Sequence, residues 1–321
     1  MDVSEVFYKE IIETMKISIL TPTYNRAYTL PRLFNSLLTQ TYTDFEWVLI
    51  DDGSTDDTIS VVNDMIQKAT FPVKFKKTAN GGKHRAINIG VNLVAGEMIL
   101  FLDSDDWLRE DALELIVKIE STIPAEDKCR YAGVQGLRCH TNGEIVGSTF
   151  DGSMLDSTTI NRKSFGIRGD KAEVYYTYLI RKYPFPEFDG EKFATERLVW
   201  NQIAAEGKLV RYFNEPIYYC EYLPDGLTYP GNRLYAANPQ QWGLAIFQDY
   251  IYKDMNWYYT TVQIYIYYLW EKDTLSMKYI SKYLHFSRLF VSTAIAIQCV
   301  LEPIRCILKG RTIKAVQSQT M

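Results

Sequence analysis

The sequence predicts an α/β fold: an open sheet of parallel strands flanked by helices, followed by a helical region. Short β-branched runs alternate with helix-length segments over residues 16–102, a pattern typical of parallel strands joined by helical crossovers. Beyond Pro239 the chain is poor in glycine and rich in aromatic residues, which favours long helices. We therefore expect an N-terminal extension over residues 1–15, an α/β domain over 16–235 and a helical appendage over 236–321.

The first half of the α/β domain has the clearest pattern. Four strands are predicted from runs of apolar and β-branched residues, at 16–20, 45–50, 73–77 and 97–102. A helix that covers the sheet is predicted after the first strand, because apolar residues recur at helical spacing: Leu30, Leu33, Phe34, Leu37 and Leu38. Helices are predicted in the same way at 58–66 and 84–93.

The second half of this domain is less regular in sequence. The alternation weakens after residue 125, and residues 131–188 contain scattered glycines, so we expect mostly irregular structure there. A helix over 196–207 and a strand over 208–213 follow.

The composition is that of a globular protein and excludes several classes. Of the 321 residues, 47% are hydrophobic and 23% are charged, which excludes a disordered, collagen-like or coiled-coil chain. The formal net charge of −4 gives no general reason to bind a phosphate backbone, so nucleic acid is not an expected partner. The five cysteines include no Cys-x-x-Cys pair, so we expect neither a disulfide framework nor a cysteine-based zinc site.

The chain is expected to be cytoplasmic. Residues 1–15 carry acidic side chains and no apolar run, unlike a targeting segment. The uncharged apolar stretch at 289–301 is shorter than the roughly 20 residues that a spanning helix needs.

Polar residues follow each of the four predicted strands. They read TPTYNR, DDGSTDD, NGGKHRA and DSDD in chain order. Open parallel sheets bind ligands beyond the carboxyl ends of their strands, so we expect these four segments to form one site.

The acidic segment after the fourth strand is the strongest of these features. Asp103, Asp105 and Asp106 lie within four residues, and their mutual repulsion favours a bound divalent cation with positions open to diphosphate oxygens. The alternative is a turn in which Asp106 lies near the N-cap of a helix beginning near Leu108.

The first two strand ends suit a nucleotide. A carboxylate at Asp51, after the second strand, can accept hydrogen bonds from a base or ribose, whereas 54–57 suit the start of a helix. The segment Thr21–Arg26 offers backbone amides and one guanidinium but has no glycine. It is therefore neither a dinucleotide-binding fingerprint nor a P-loop, which argues against a dehydrogenase or a kinase.

The third strand end places three basic side chains behind a glycine turn. Lys83, His84 and Arg85 suit an anion at a helix start, although basic residues beside a turn are more often solvated. The chain has only three histidines, far apart in sequence, so a histidine-based metal site or a Ser-His-Asp triad is not supported.

Taken in order, PTYNR, FEWVLIDDGSTDDT, NGGKHRAINIG and GEMILFLDSDD resemble the inverting family 2 glycosyltransferases of bacterial surface-polysaccharide type. The resemblance covers roughly residues 16–225 and implies the GT-A fold, a Rossmann-like mixed sheet flanked by helices. It also implies that Asp103 and Asp105 bind Mg²⁺ or Mn²⁺ together with the diphosphate of a nucleotide-sugar donor, which we expect to be a UDP-sugar.

The resemblance also assigns the rest of the donor site. The nucleoside would contact Pro22, Thr23, Tyr24, Asn25 and Asp51. Lys83 and His84 would face the nucleotide or the sugar, and the rest of the implied donor site is Arg26, Asp52, Asn88 and Ser104.

The same resemblance implies a catalytic base just before an amphipathic helix. The segment FATERLVWNQIAAEG matches and places Glu196 in that role. From the residues alone, Glu196 is better explained as an acidic residue favourable at a helix N-terminus, and it is the family resemblance that favours the base. Asp189 and Glu191 lie a few residues upstream and remain competitors for the role.

A polysaccharide synthase, a nucleotidyltransferase and a degenerate scaffold are alternatives to this function. The Gln-x-x-Arg-Trp motif of processive family members is absent, which favours a single-transfer enzyme over a polysaccharide synthase. A nucleotidyltransferase would carry a glycine-rich basic loop early in the chain, and a degenerate scaffold would have lost its acidic positions. By resemblance, Tyr222, Asp225 and Thr228 border the active site.

The helical appendage has two interpretations. The apolar stretch 289–301 is followed by the basic residues Arg305, Lys309, Arg311 and Lys314. This composition suits peripheral contact with the anionic inner face of the cell membrane, where the chain would meet a lipid-linked or glycan acceptor. It suits equally a helical cap or a homo-oligomer interface. We assign the dense aromatic residues of 247–270 to packing rather than to sugar binding.

Overall fold

The computed structural model describes residues 15–221, 223, 225–226, 232–252 and 256–308. Apart from its last residue, the predicted N-terminal extension lies outside this range. Within it, nine strands form one mixed sheet in the order β3-β2-β1-β4-β8-β6-β9-β5, with β7 paired to β9.

The first four strands confirm the predicted parallel half of the sheet. They are β1 (Ile17–Thr23), β2 (Phe45–Asp51), β3 (Val73–Lys77) and β4 (Met98–Phe101). The registers of β1 with β2 and β4, and of β2 with β3, are all parallel. The crossover helices are α1 (Leu30–Leu38), α2 (Thr58–Lys68) and α3 (Lys83–Val91). All four strands therefore end at the same edge of the sheet.

The expectation of irregular structure over 131–188 was wrong. This segment contains β6 (Tyr131–Cys139), β7 (Met154–Ser157) and β8 (Lys171–Tyr176), and the strand predicted at 208–213 extends as β9 (Leu209–Tyr219). Two of the glycines that suggested loops, Gly133 and Gly136, lie within β6 and allow close packing there. A Cβ on Gly133 would lie 2.1 Å from the carbonyl oxygen of Val174 in β8, and one on Gly136 would lie 2.7 Å from the Phe213 ring.

The helix expected near Leu108 begins later. Trp107–Leu108 form β5, which pairs with β9, and α4 (Ala112–Ser121) starts after Asp111. Asp106 is therefore not a helix cap, because an edge strand separates it from the helix.

The remaining helices lie around the second half of the sheet and in the C-terminal region. They are α5 (Thr177–Lys182), α6 (Arg197–Ala205), α7 (Asn232–Ala236), α8 (Pro239–Tyr252), α9 (Trp257–Glu271), α10 (Met277–Tyr283) and α11 (Arg288–Leu308). Short 3₁₀ helices occur at Ala125–Arg130 and Asn161–Phe165.

Two hydrophobic cores lie on the sheet and a third lies among the C-terminal helices. The first includes Trp47 and Phe34, the second includes Trp200, and the third contains Trp242 and Tyr267. Ala245 of α8 belongs to the second core, so the helical region packs directly against the α/β domain. Some of the many aromatic residues of the helical region are thus buried in a hydrophobic core, as Trp242 and Tyr267 are.

No single helix in the described part of the chain is long and apolar enough to span a bilayer. Met277–Tyr283 and Arg288–Glu302 satisfy that criterion only as a pair, and the pair is bent by 102°.

Candidate active site

A cleft of about 480 Å³ opens at the carboxyl ends of β1, β2 and β4. The four polar strand ends meet there, as the topology of a parallel sheet requires. Among the predicted site residues, those that line the cleft are Pro22, Thr23, Tyr24, Asn25, Arg26, Asp52, Lys83, Asp103, Ser104 and Asp105. Asn80, from the NGGKHRA segment, also lines it, as do Lys192, Glu221 and Leu223, which were not predicted.

Of the two adjacent aspartates after β2, only Asp52 faces the cleft. Asp51 is fully buried, and its Oδ1 accepts a hydrogen bond from the Ser54 amide at 2.9 Å. The carboxylate of Asp52 accepts hydrogen bonds from the amides of Gly81 and Gly82 at 2.7 and 2.8 Å, and burial raises its pKa. Asp51 therefore shapes the turn, and the carboxylate exposed to a ligand is that of Asp52.

His84 and Asn88 do not line the cleft. His84 is buried, and burial lowers its pKa to about 4, so it is neutral at pH 7. The Asn88 side chain donates to the Phe185 carbonyl and accepts from the Phe185 amide, both at 2.9 Å. Both residues therefore support the wall of the site from behind. Lys83, His84 and Arg85 were expected to face an anion. Of the three, only Lys83 lines the cleft, because His84 is buried and Arg85 donates to the Phe188 carbonyl.

The loop after β1 is tied to the loop after β2. Asn25, at a positive φ of 51°, donates its amide to Ser54 Oγ at 2.8 Å and accepts the Thr55 amide at 2.8 Å. Such a left-handed conformation is uncommon except in glycine and asparagine. The Thr23 hydroxyl nearby is buried and has no protein partner among the described residues, which leaves it available to a ligand.

Arg26 links the first loop to the far side of the cleft. Its Nη1 lies 2.8 Å from Asp225 Oδ2, and its Nε lies 3.9 Å from Asp105 Oδ2. The Tyr28 hydroxyl also lies 3.0 Å from Asp225 Oδ2. Asp225 therefore borders the site as predicted, while Tyr222 and Thr228 lie outside the described residues.

The three aspartates after β4 have different environments. Although burial opposes it, Lys83 and Arg138 lower the pKa of Asp103 to about 2, through contacts of 2.6 and 3.5 Å. Burial and the charge of Asp103 raise the pKa of Asp105. The same two causes raise the pKa of Asp106 to about 8. At pH 7 Asp103 is therefore ionised and Asp106 protonated.

Lys83 joins Asp103 to Glu196. Its Nζ lies 2.6 Å from Asp103 Oδ1 and 3.0 Å from Glu196 Oε1. Burial opposes protonation, yet the two carboxylates raise the lysine pKa above its ordinary value. Glu196 occupies the N-cap position of α6, and its side chain is 35% exposed. One ammonium group thus holds the predicted base beside the acidic segment.

The two competitors of Glu196 lie elsewhere. The Glu191 carboxylate accepts hydrogen bonds from the amides of Gln240 and Gln241 at 2.6 and 3.0 Å and is buried, so it has no access to an acceptor. Asp189 is exposed. Neither Asp189 nor Glu196 lines the cleft itself, but Glu196 contacts Lys83, which does.

Asp105 is the carboxylate best placed for a divalent cation. Both oxygens of Asp103 face Lys83 or Arg138, and no group of three or more His, Cys, Asp or Glu suited to a metal occurs within the described ranges. Mg²⁺ and Mn²⁺ often bind through one or two carboxylates together with substrate phosphates and water. The residues therefore fit a cation that Asp105 would hold through one carboxylate, rather than one enclosed by protein ligands alone.

Residues 18–124 match the family model Glycosyl transferase family 2. Over 102 residues the chain is 37% identical to the poly(ribitol-phosphate) beta-N-acetylglucosaminyltransferase TarS of Staphylococcus aureus, covering 31% of this chain and 18% of TarS. Over 198 residues it is 29% identical to the GalNAc(5)-diNAcBac-PP-undecaprenol beta-1,3-glucosyltransferase of Campylobacter jejuni, covering 60% of each. The chain thus spans less than two thirds of the length of these relatives.

Solved structures show the same fold. The complex of S. aureus TarS residues 1–349 with UDP-GlcNAc superposes with a TM-score of 0.54 at 22% identity, covering 84% of this chain and 70% of that one. The mannosyltransferase PcManGT of Pyrobaculum calidifontis, in complex with GDP-Man and Mn²⁺, superposes with a TM-score of 0.52 at 17% identity, covering 95% and 84%. A glycosyl transferase family 2 domain is therefore matched over residues 18–124, and the chain has a GT-A-like mixed sheet with a helical C-terminal region.

Proposed function

We propose that the chain is a metal-dependent inverting glycosyltransferase that moves a sugar from a UDP-sugar to an acceptor hydroxyl. The observation that carries the proposal is the contact of Lys83 with both Asp103 and Glu196. A cation suited to a phosphate and an acidic segment suited to a metal line one cleft, and the same cation contacts a carboxylate suited to act as a base.

The cleft supplies partners for each part of the donor. The Asp52 carboxylate and the Thr23 hydroxyl, which has no partner among the described residues, line the cleft and would contact the nucleoside. Lys83 and Arg26 offer positive charge to the diphosphate. A Mg²⁺ or Mn²⁺ ion at Asp105 would offset the charge that develops on the leaving diphosphate. The relative TarS is seen with UDP-GlcNAc, which supports UDP as the nucleotide.

Transfer then requires one displacement. Glu196 accepts the proton of the acceptor hydroxyl as its oxygen forms a bond to the anomeric carbon, and the bond from that carbon to the diphosphate oxygen breaks. The attack comes from the face opposite the leaving group, so the anomeric configuration inverts. UDP leaves with the bonding electron pair.

A panel of donors tests this proposal. UDP-GlcNAc, UDP-Glc, UDP-Gal and GDP-Man are each supplied with Mn²⁺ or with EDTA, and the products are analysed by mass spectrometry. We expect release of UDP from one UDP-sugar, supported by Mn²⁺ and abolished by EDTA. Release of pyrophosphate would instead indicate nucleotidyl transfer, and the absence of donor binding would indicate a scaffold.

The acceptor that we propose is lipid-linked, or a cell-surface glycan intermediate, met at the inner face of the membrane. The C. jejuni relative is named for an undecaprenol-linked substrate. On α11, Leu289 and Val300 are 79% and 64% exposed, and the exposed residues between them are uncharged. Such a face suits peripheral contact with lipid, and the basic residues that follow it in sequence suit anionic headgroups.

Vesicle flotation tests the membrane contact. We expect the full chain to float with vesicles that contain phosphatidylglycerol and the double variant Leu289→Glu, Val300→Glu to remain unbound. Equal behaviour of the two proteins would remove the membrane contact. A dimer of the unaltered chain that the double variant loses would assign the face to a second copy.

A further inference from the structure

Asn238 lies immediately before α8 and contacts a segment far from it in sequence. Its side chain is buried, and its Oδ1 accepts hydrogen bonds from the backbone amides of Lys192 and Phe193 at 2.9 and 3.1 Å. Its Nδ2 donates to the Leu234 carbonyl at 2.7 Å. One side-chain amide therefore joins the helical region to the segment that precedes Glu196.

The contact is reciprocal. The carboxylate of Glu191 accepts hydrogen bonds from the first amides of α8, at Gln240 and Gln241, where a helix leaves its donors unpaired. The Thr195 amide faces Gln241 Oε1 at 3.4 Å. Because each segment satisfies polar groups of the other, residues 191–195 and 238–241 form one hydrogen-bonded unit.

The segment held in this way reaches the cleft at Lys192 and contacts a lysine of the cleft through Glu196. Lys192 lines the cleft, and its Nζ donates to Asn80 Oδ1 at 2.8 Å. Its carbonyl oxygen packs so closely on Gly82 that a Cβ there would approach to 2.0 Å. Further along the segment, Glu196 lies 3.0 Å from Lys83.

We propose that Asn238 is a positioning residue for the transfer reaction, an inference that rests on the function proposed above. By fixing the backbone of Lys192 and Phe193, its amide oxygen sets both the lysine at the donor cleft and the carboxylate beside Lys83. The helical region thus completes the active site in addition to any contact with a membrane or a second copy. Asn238 touches neither donor nor acceptor and acts through these two residues.

Three variants of the full chain separate positioning from stability. Asn238→Ala removes every contact of the side chain. Asn238→Asp keeps an oxygen acceptor for the two amides and loses the donor to Leu234. Asn256→Ala is the matched control, because Asn256 also accepts a backbone amide, that of Tyr258 at 2.9 Å, in the same helical region.

We expect Asn238→Ala to lower kcat by roughly ten- to a hundredfold, since a displaced base loses its alignment, and to raise the KM for donor. Asn238→Asp keeps most of the activity, and Asn256→Ala leaves kcat unchanged. If Asn238→Asp is as inactive as Asn238→Ala, or if Asn238→Ala alters only the melting temperature, the positioning role is refuted.

Amide hydrogen exchange measures the contact without any assay of transfer. The amides of Lys192 and Phe193 should exchange at least about fivefold faster in Asn238→Ala, in line with the loss of one hydrogen bond each, and remain protected in Asn238→Asp. Unchanged exchange in Asn238→Ala overturns the inference. Should the unaltered chain transfer no sugar, the proposed function fails, while the exchange experiment still decides whether Asn238 holds the segment.

Discussion

Replacing Glu196 by glutamine should lower the rate of sugar transfer by about 10²–10⁴-fold, the usual contribution of a general base. The amide has nearly the same shape as the carboxylate but cannot accept the proton of the acceptor hydroxyl. Lys83 retains its 2.6 Å contact with Asp103, so the donor side of the cleft keeps its arrangement. We therefore expect the affinity for UDP, measured by titration calorimetry, to remain within about threefold while kcat falls.

Glu206→Gln is the matched control for this variant. Glu206 lies at the other end of α6, at its C-cap, and forms an ion pair with Lys182 rather than with a cleft residue. It should transfer sugar at the unaltered rate. Full activity in Glu196→Gln would eliminate Glu196 as the base and leave Asp189 as the competitor to test, because Glu191 is buried against α8.

The parallel half of the fold was predictable because its inner strands β1, β2 and β4 are buried on both faces. Every residue of β1 and β2 is buried, and such strands read as continuous apolar runs. In the second half, polar residues interrupt the pattern: Gln135 and Lys171 are buried within β6 and β8. The partner of Gln135 comes from a distant part of the chain, since its side-chain amide donates to the Tyr175 hydroxyl. Local periodicity cannot show that these residues form strands.

The location of the site was predictable, and the orientation of its side chains was not. Parallel strands end at one edge, which brings Asp52, Lys83 and Asp103 into one cleft. Adjacent residues, however, point in different directions. Asp51 points into the turn while Asp52 faces the cleft, and His84 is buried one position after Lys83. The charge pattern Lys-His-Arg could not reveal which member faced a ligand.

Residues contributed by distant segments were missed for a different reason. Arg138 reaches Asp103 from β6, and Lys192 reaches Asn80 from the segment before α6. Neither residue lies in a motif at a parallel strand end, and no local pattern links it to the site. The buried Asn238 beside a proline was a recognisable helix start, but its contact with Lys192 follows only from the packing of α8.

Replacing Asp105 by asparagine should abolish the dependence on metal. An amide oxygen is a weaker ligand than a carboxylate for Mg²⁺ or Mn²⁺, and Asp105 is the member of the acidic segment that faces the cleft without a lysine contact. We expect transfer to fall by at least about a hundredfold, in line with lost electrostatic stabilisation of the leaving group. Titration with Mn²⁺ should no longer raise either the rate or the affinity for UDP.

Asp106→Asn is the matched control, and it should remain active. Burial and the charge of Asp103 raise the pKa of Asp106 to about 8, so the native side chain is protonated at pH 7 and an amide replaces it with little change in charge. Because the folded chain holds this proton while an unfolded aspartate of pKa 3.8 does not, the free energy of unfolding of the native chain falls as pH rises between these two values. That decline should be absent in Asp106→Asn, so the stability difference between the two proteins grows towards pH 8. If Asp106→Asn instead loses its response to Mn²⁺ and Asp105→Asn keeps it, the metal belongs to Asp106 and the assignment is reversed.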